Sequence, residues 1–172
     1  MKQLITLTAI FLTSYFGFTQ TRELDSLTIQ LTFEKRDSVK IETSIELIKL
    51  LFDNKDFEKA LLYINRSEQL SYDLNYDLAL AELKYLKALI YTQNSDYYNA
   101  IDNYKRSLSL YVSLKDTLGI AKVNNSLGGV EIARGNYTIG LQYALYAIDI
   151  FERKNQLNEL SQAYRNLAIA YK

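Results

Sequence analysis

Shifted by forty residues, the chain overlays on itself. Asp56-Phe57-Glu58-Lys59-Ala60 falls on Asp96-Tyr97-Tyr98-Asn99-Ala100 and then on Asn136-Tyr137-Thr138-Ile139-Gly140, three registers without a gap. The same shift aligns Leu61, Ile101 and Leu141; Leu70, Leu110 and Ile150; and Ile48, Ala88, Gly128 and Ala168. A further row, Leu47, Lys87, Leu127 and Leu167, has one polar member. A fixed period of this length means stacked structural units, because a single unit cannot bury both of its faces.

Each unit reads as two helices. Leu141, Ala144, Leu145, Ala147, Ile148 and Phe151 recur three and four apart, as on one helix face. Gly135-Asn136, Asn54-Lys55-Asp56 and Asn94-Ser95-Asp96 are the turns, and Asp56 and Asp96 suit N-caps by accepting bonds from the orphan amides. Zero Pro and only 6 Gly in 172 residues agree with long uninterrupted helices. The pattern predicts helices at 41–53, 57–73, 79–93, 97–113, 119–134, 137–153 and 159–172, with one more from about 21 to 35 suggested by Leu24, Leu27 and Leu31. The rows Ala60/Ala100/Gly140 and Ala88/Gly128/Ala168 mark where the two helices of a pair meet, since axes about 8–10 Å apart need small side chains at closest contact. Gly128 thus has a packing reason. Gly129 has none in the pattern and reads as a soft point in the helix, the alternative being an opening for a ligand backbone. The expected fold is all-α, a right-handed α-solenoid of stacked antiparallel helix pairs.

Leu127-Gly128, then Gly135-Asn136-Tyr137, Gly140 and Ala147, with Leu167-Ala168 and Tyr171 in the last unit, resemble the tetratricopeptide repeat over Ile41 to Lys172. Ile48 in place of a small residue, Glu131 in place of an aromatic, Gly140 in place of Ala and the missing closing Pro depart from that pattern. The forty-residue period is similar to the subclass found in kinesin light chains and in the sensor regions of bacterial signalling proteins. The implied organisation is 1–19 a signal peptide, 20–36 a capping helix, and 37–172 repeats (41–80, 81–120, 121–160 and a partial 161–172). The last unit stops after its first helix, so the expectation is the N-terminal part of a longer protein.

The leader is read from Met1-Lys2 followed by an apolar run through Phe18, with no charge from Gln3 to Thr21. Small residues at Gly17 and Thr19 allow cleavage before Gln20; an uncleaved anchor is the alternative. An exported, periplasmic or extracytoplasmic location follows as an expectation. Membrane contact is expected only through that segment or through a missing C-terminal part.

Twenty Lys plus Arg balance twenty Asp plus Glu, which argues against nucleic acid as a partner. With no His and no Cys there is no imidazole or thiolate chemistry, and phosphate loops and nucleophile elbows are absent from the sequence. Neither an enzyme nor a cofactor or metal site is expected. The resemblance implies a protein or peptide partner bound on the concave face lined by the first helix of each pair. There the candidate groove residues are Lys49, Tyr85, Lys122, Asn125, Gln162, Arg165 and Asn166. Asn125 and Asn166 could hold an extended peptide through their amides, and Lys122 and Arg165 could pair with its carboxylates. Ile45 occupies the place of the first Lys of the co-chaperone carboxylate clamp, so that specificity is not supported.

Overall fold

The computed structural model describes residues 22–171, and the expected signal peptide lies outside the described residues. A helix runs through 22–33 (α1), followed by α2 (Asp37–Asp53), α3 (Phe57–Asp73), α4 (Asp77–Gln93), α5 (Tyr97–Ser113), α6 (Thr117–Ala133), α7 (Tyr137–Arg153) and α8 (Leu157–Ala170). Among the described residues there is no strand. None of these helices is long and apolar enough to cross a membrane.

The period has a local cause in the turns. From α2 to α7 every helix has 17 residues, and every connection from α2 to α8 has three. The middle residue of each connection lies in the left-handed region: Lys55 (φ 60°), Asn75 (52°), Ser95 (59°), Lys115 (56°), Gly135 (83°) and Asn155 (54°). That conformation turns the next amide back onto a carbonyl five residues earlier, as Asp56 onto Leu51, Asp96 onto Tyr91 and Asn136 onto Glu131. The middle residue itself bonds three residues back, completing a Schellman closure. The carbonyl of the third residue then accepts the first bond of the next helix, from Ala60 to Asp56, Ala100 to Asp96 and Gly140 to Asn136. One residue therefore both ends one helix and caps the next, which fixes twenty residues per helix and forty per pair.

Asp56 and Asp96 act as the caps expected, accepting from the amides of Lys59 at 3.3 Å and Asn99 at 3.2 Å. The predicted starts of α4, α6 and α8 are two residues late and that of α2 four residues late. Lys115 carries no marked turn signal, yet it adopts positive φ, as does Asn75, a residue that tolerates it; Asp116 caps α6 through the amides of Leu118 and Gly119, both at 3.0 Å. Glu131, the departure from the aromatic, closes its own turn: it is 8% exposed and accepts from Arg134 Nη1 at 3.0 Å and Asn136 Nδ2 at 2.6 Å.

The chain divides into two units between Ser67 and Glu68, within α3. In the first, Ile41, Leu47, Ile48, Leu51, Ala60 and Ile64 are buried, and the Phe52 and Phe57 rings lie 5.6 Å apart. In the second, α4 with α5 and α6 with α7 form hairpins, and each second helix also packs on the following first helix. Tyr104, Val123, Leu127, Val130 and Phe151 fill the layers between them. The second unit therefore shows the stacked helix pairs of a tetratricopeptide-like fold.

Small residues sit where the hairpins cross. A Cβ on Gly128 would lie 3.0 Å from the Gly140 carbonyl oxygen and 3.3 Å from the Ala144 nitrogen. Ala88 and Ala100, their counterparts in the preceding pair, are fully buried. Gly119 makes room for the Tyr111 ring, a role the repeat pattern did not show. Tyr111 Oη can then donate to Glu82 Oε2 at 2.7 Å.

Candidate functional site

In the second unit the first helices α4, α6 and α8 pack on one another in succession, whereas α5 and α7 share no close backbone contact. The closely spaced layer forms the inner side of the stack, and the candidate residues of this unit lie on it. Two polar links span successive first helices, each joining residues 41 apart. Tyr85 Oη and Ser126 Oγ are 3.2 Å apart between α4 and α6. Between α6 and α8, Asn166 Nδ2 donates to the Asn125 backbone oxygen at 3.2 Å and to Asn125 Oδ1 at 3.0 Å.

The second link settles the orientation of both amides. A backbone carbonyl only accepts, so the atom of Asn166 facing it is the nitrogen, and the Asn125 atom sharing that nitrogen is the oxygen. Asn125 Nδ2 is thereby left without a hydrogen-bond partner among the described residues. Asn125 is only 6% exposed, but the nitrogen is not sealed from solvent. A donor held in that state is costly unless water or a ligand accepts from it.

Around this point, Lys122 Nζ lies 3.7 Å from Glu159 Oε1. Gln162 and Arg165 are exposed on α8, Arg165 with no ion pair among the described residues. Lys49 is exposed on α2, in the first unit. The structure thus joins Asn125 to Asn166 between α6 and α8, with Lys122 on α6 and Gln162 and Arg165 on α8. Asn125 and Asn166 are not two independent hooks, because Asn166 is spent on holding α8 to α6. Tyr85 serves the wall, its ring 5.8 Å from that of Tyr104. Burial raises the hydroxyl pKa values of Tyr85 and Tyr104, and burial followed by the nearby Glu82 carboxylate raises that of Tyr111. All three stay protonated at neutral pH and hold their hydroxyl links.

Gly129 also has a packing neighbour that sequence reasoning missed. The nearest atoms a Cβ there would meet belong to the Asn166 carboxamide, at 3.4–3.7 Å, which is ordinary contact. Gly129→Ala is expected to stabilise the chain by up to about 1 kcal/mol through helix propensity. A rise in thermal midpoint checks this, and a fall would show that the Asn166 amide cannot yield.

No family model and no curated protein matches the chain. Solved structures do. Aspartyl phosphate phosphatase F from Bacillus subtilis superposes with a TM-score of 0.74 at 21% identity over 86% of this chain. BtubC (BKLC) from P. vanneervenii does so with a TM-score of 0.69 at 18% identity over 89%. The chain spans 42% of the first of these proteins and 63% of the second. At such identities the likeness is one of fold, and the class it defines with the stacked hairpins is the tetratricopeptide-like helical repeat.

Proposed function

We propose that the chain is an exported protein- or peptide-binding module of the forty-residue tetratricopeptide type, the sensor or scaffold part of a longer signalling protein. It takes an extended peptide along the inner face of its first helices. The observation that carries this reading is Asn125 Nδ2, a nearly buried donor whose own oxygen is already occupied by Asn166. A peptide carbonyl supplies the missing acceptor, and Arg165 beside it suits a carboxylate of the same ligand. No covalent chemistry is assigned to the face. Its work is selection by hydrogen bonds and charge.

The reading of a longer protein is supported by α8. Tyr164, Ala168 and Tyr171 are exposed there, whereas their counterparts Asn124, Gly128 and Glu131 on α6 are buried. Reading the coding sequence beyond Lys172 separates a sensor, followed by a membrane helix and an output domain, from a free periplasmic scaffold, followed by further repeats alone. A phosphatase reporter fused after Arg22 tests export, since it is active only outside the cytoplasm.

The binding face itself is tested by capture. Partners retained by the full chain are identified, and the capture is repeated with Asn125→Ala, Arg165→Ala and Asn166→Ala combined. Loss of at least about tenfold in affinity, or 1.4 kcal/mol, is expected. Unchanged capture by a variant with a native circular dichroism spectrum would exclude the inner face as the binding surface.

A further inference from the structure

The outer side of the second unit carries a furrow distinct from the inner face. α5 and α7 share no close backbone contact, and α6 packs on both. Hollows lie near the two ends of α6. Near the end of α6 a cavity of about 540 Å³ is lined by Tyr98, Ile101, Asp102 and Lys105 of α5 and by Arg134. Near the start of α6 a second cavity, of about 300 Å³, is lined by Thr117, by Tyr146 and Ile150 of α7, and by Arg153 and Lys154.

Both hollows combine apolar or aromatic walls with two cations. Tyr98 is 84% exposed and Tyr146 49%, although each lies beside well-packed neighbours. Repeat register shows that Tyr146 is not awaiting another stacked pair. Its counterparts Arg66 and Arg106 are solvent-exposed too, and there the residue is charged. An aromatic at this position is therefore a local choice on α7. The cations differ in how they are used. Arg134 pairs with Glu131 at 3.0 Å and Arg153 with Asp149, while Lys105 and Lys154 make no ion pair among the described residues. The lining carries four cations against one carboxylate, with one uncommitted ammonium in each hollow.

We propose that this outer furrow is a second docking surface, for an acidic amphipathic segment of a partner protein. The segment's aromatic or aliphatic side chains lie against Tyr98, Ile101 and Tyr146, and its carboxylates meet Lys105, midway along α5, and Lys154, just beyond the end of α7. Helix α6 sets its length. Seventeen residues of α6 span about 25 Å, which a helix of similar length or an extended stretch of about eight residues covers.

The test is a selection of phage-displayed random peptides of about 17 residues, long enough to cross the furrow as a helix, on the immobilised full chain. Enriched peptides are synthesised and titrated against the chain, against Lys105→Glu combined with Lys154→Glu, and against Arg165→Ala. Enrichment in Asp and Glu is expected. Affinity should fall at least about tenfold with the two charge reversals, as for desolvated charge pairs, and hold with Arg165→Ala. Both lysines are exposed, so the reversed variant should keep its circular dichroism spectrum. Peptides without excess acid, affinity indifferent to the reversals, or loss on Arg165→Ala instead would overturn the proposal. So would cosedimentation of the chain with phosphatidylglycerol vesicles that the reversals abolish while no acidic peptide binds. The inner-face reading stands or falls separately, on the response to Asn125 and Arg165.

Discussion

Glu68→Leu is expected to destabilise the second unit by about 3–5 kcal/mol, because it strips the counter-charge from the largely desolvated Lys84. Glu68 Oε1 lies 3.0 Å from Lys84 Nζ and Oε2 3.2 Å from Lys87 Nζ. Glu68 and Lys84 are each only 8% exposed. One carboxylate thus meets two ammonium groups. Removing it leaves the Lys84 charge without its counter-ion in a medium that screens poorly. Removing both sides of the closer pair, as Glu68→Leu with Lys84→Met, should recover much of the loss, because no uncompensated buried charge remains there. Denaturant unfolding followed by circular dichroism, arranged as a double-mutant cycle, measures the coupling. If the single and double variants unfold at the wild-type midpoint, the pair is a surface contact and the burial argument is wrong.

Gly128→Leu comes next, with an expected cost of about 3 kcal/mol. The first added carbon already lies 3.0 Å from the Gly140 carbonyl oxygen. That atom belongs to the backbone of α7 and cannot rotate aside as a side chain would. The helices must separate, and the contacts around Leu127, Val130 and Ala144 weaken with them. Gly128→Ala should also lose stability, although a helix interior favours Ala by about 1 kcal/mol. The neighbouring Gly129→Ala should gain, since its contact is a movable carboxamide. Opposite signs at adjacent positions would be hard to obtain from helix propensity alone. In a unit of this size each kcal/mol moves the thermal midpoint by roughly 2–8 °C, enough to resolve both. A stabilised Gly128→Ala would show that α6 and α7 do not meet at this point.

The legible and illegible parts of the sequence divide along one physical line. Features set by average burial were readable, because the helix pairs and the small residues at the crossings recur with the period; the caps at Asp56 and Asp96 were readable from residue type, while Asn136 in the same register makes no side-chain cap. Helix starts were less readable, because Lys115 takes a left-handed turn that its residue type does not announce, and Asn75, which tolerates one, sits where no turn was read. There the stacking of the flanking helices outweighs the modest local strain. Of the candidate groove, Asn125 and Asn166 meet between α6 and α8, and Lys122, Gln162 and Arg165 lie on the same two helices. Their roles were not readable, and neither was the reason for Gly129.

What the sequence determined by itself is the repeating pattern of packing: which residues face inward, where two helices come closest, and that the chain is built of helix pairs. Periodicity suffices for this because burial depends only on which side of its own helix a residue occupies. Which polar groups find one another was decided only in three dimensions. Asn166 reaches Asn125 across 41 positions, Glu68 gathers two lysines, and Asn125 Nδ2 is left to the inner face. Such pairings depend on how far each helix is turned and shifted against the next, to within an ångström or so, because a hydrogen bond is short and directional whereas apolar contact is neither.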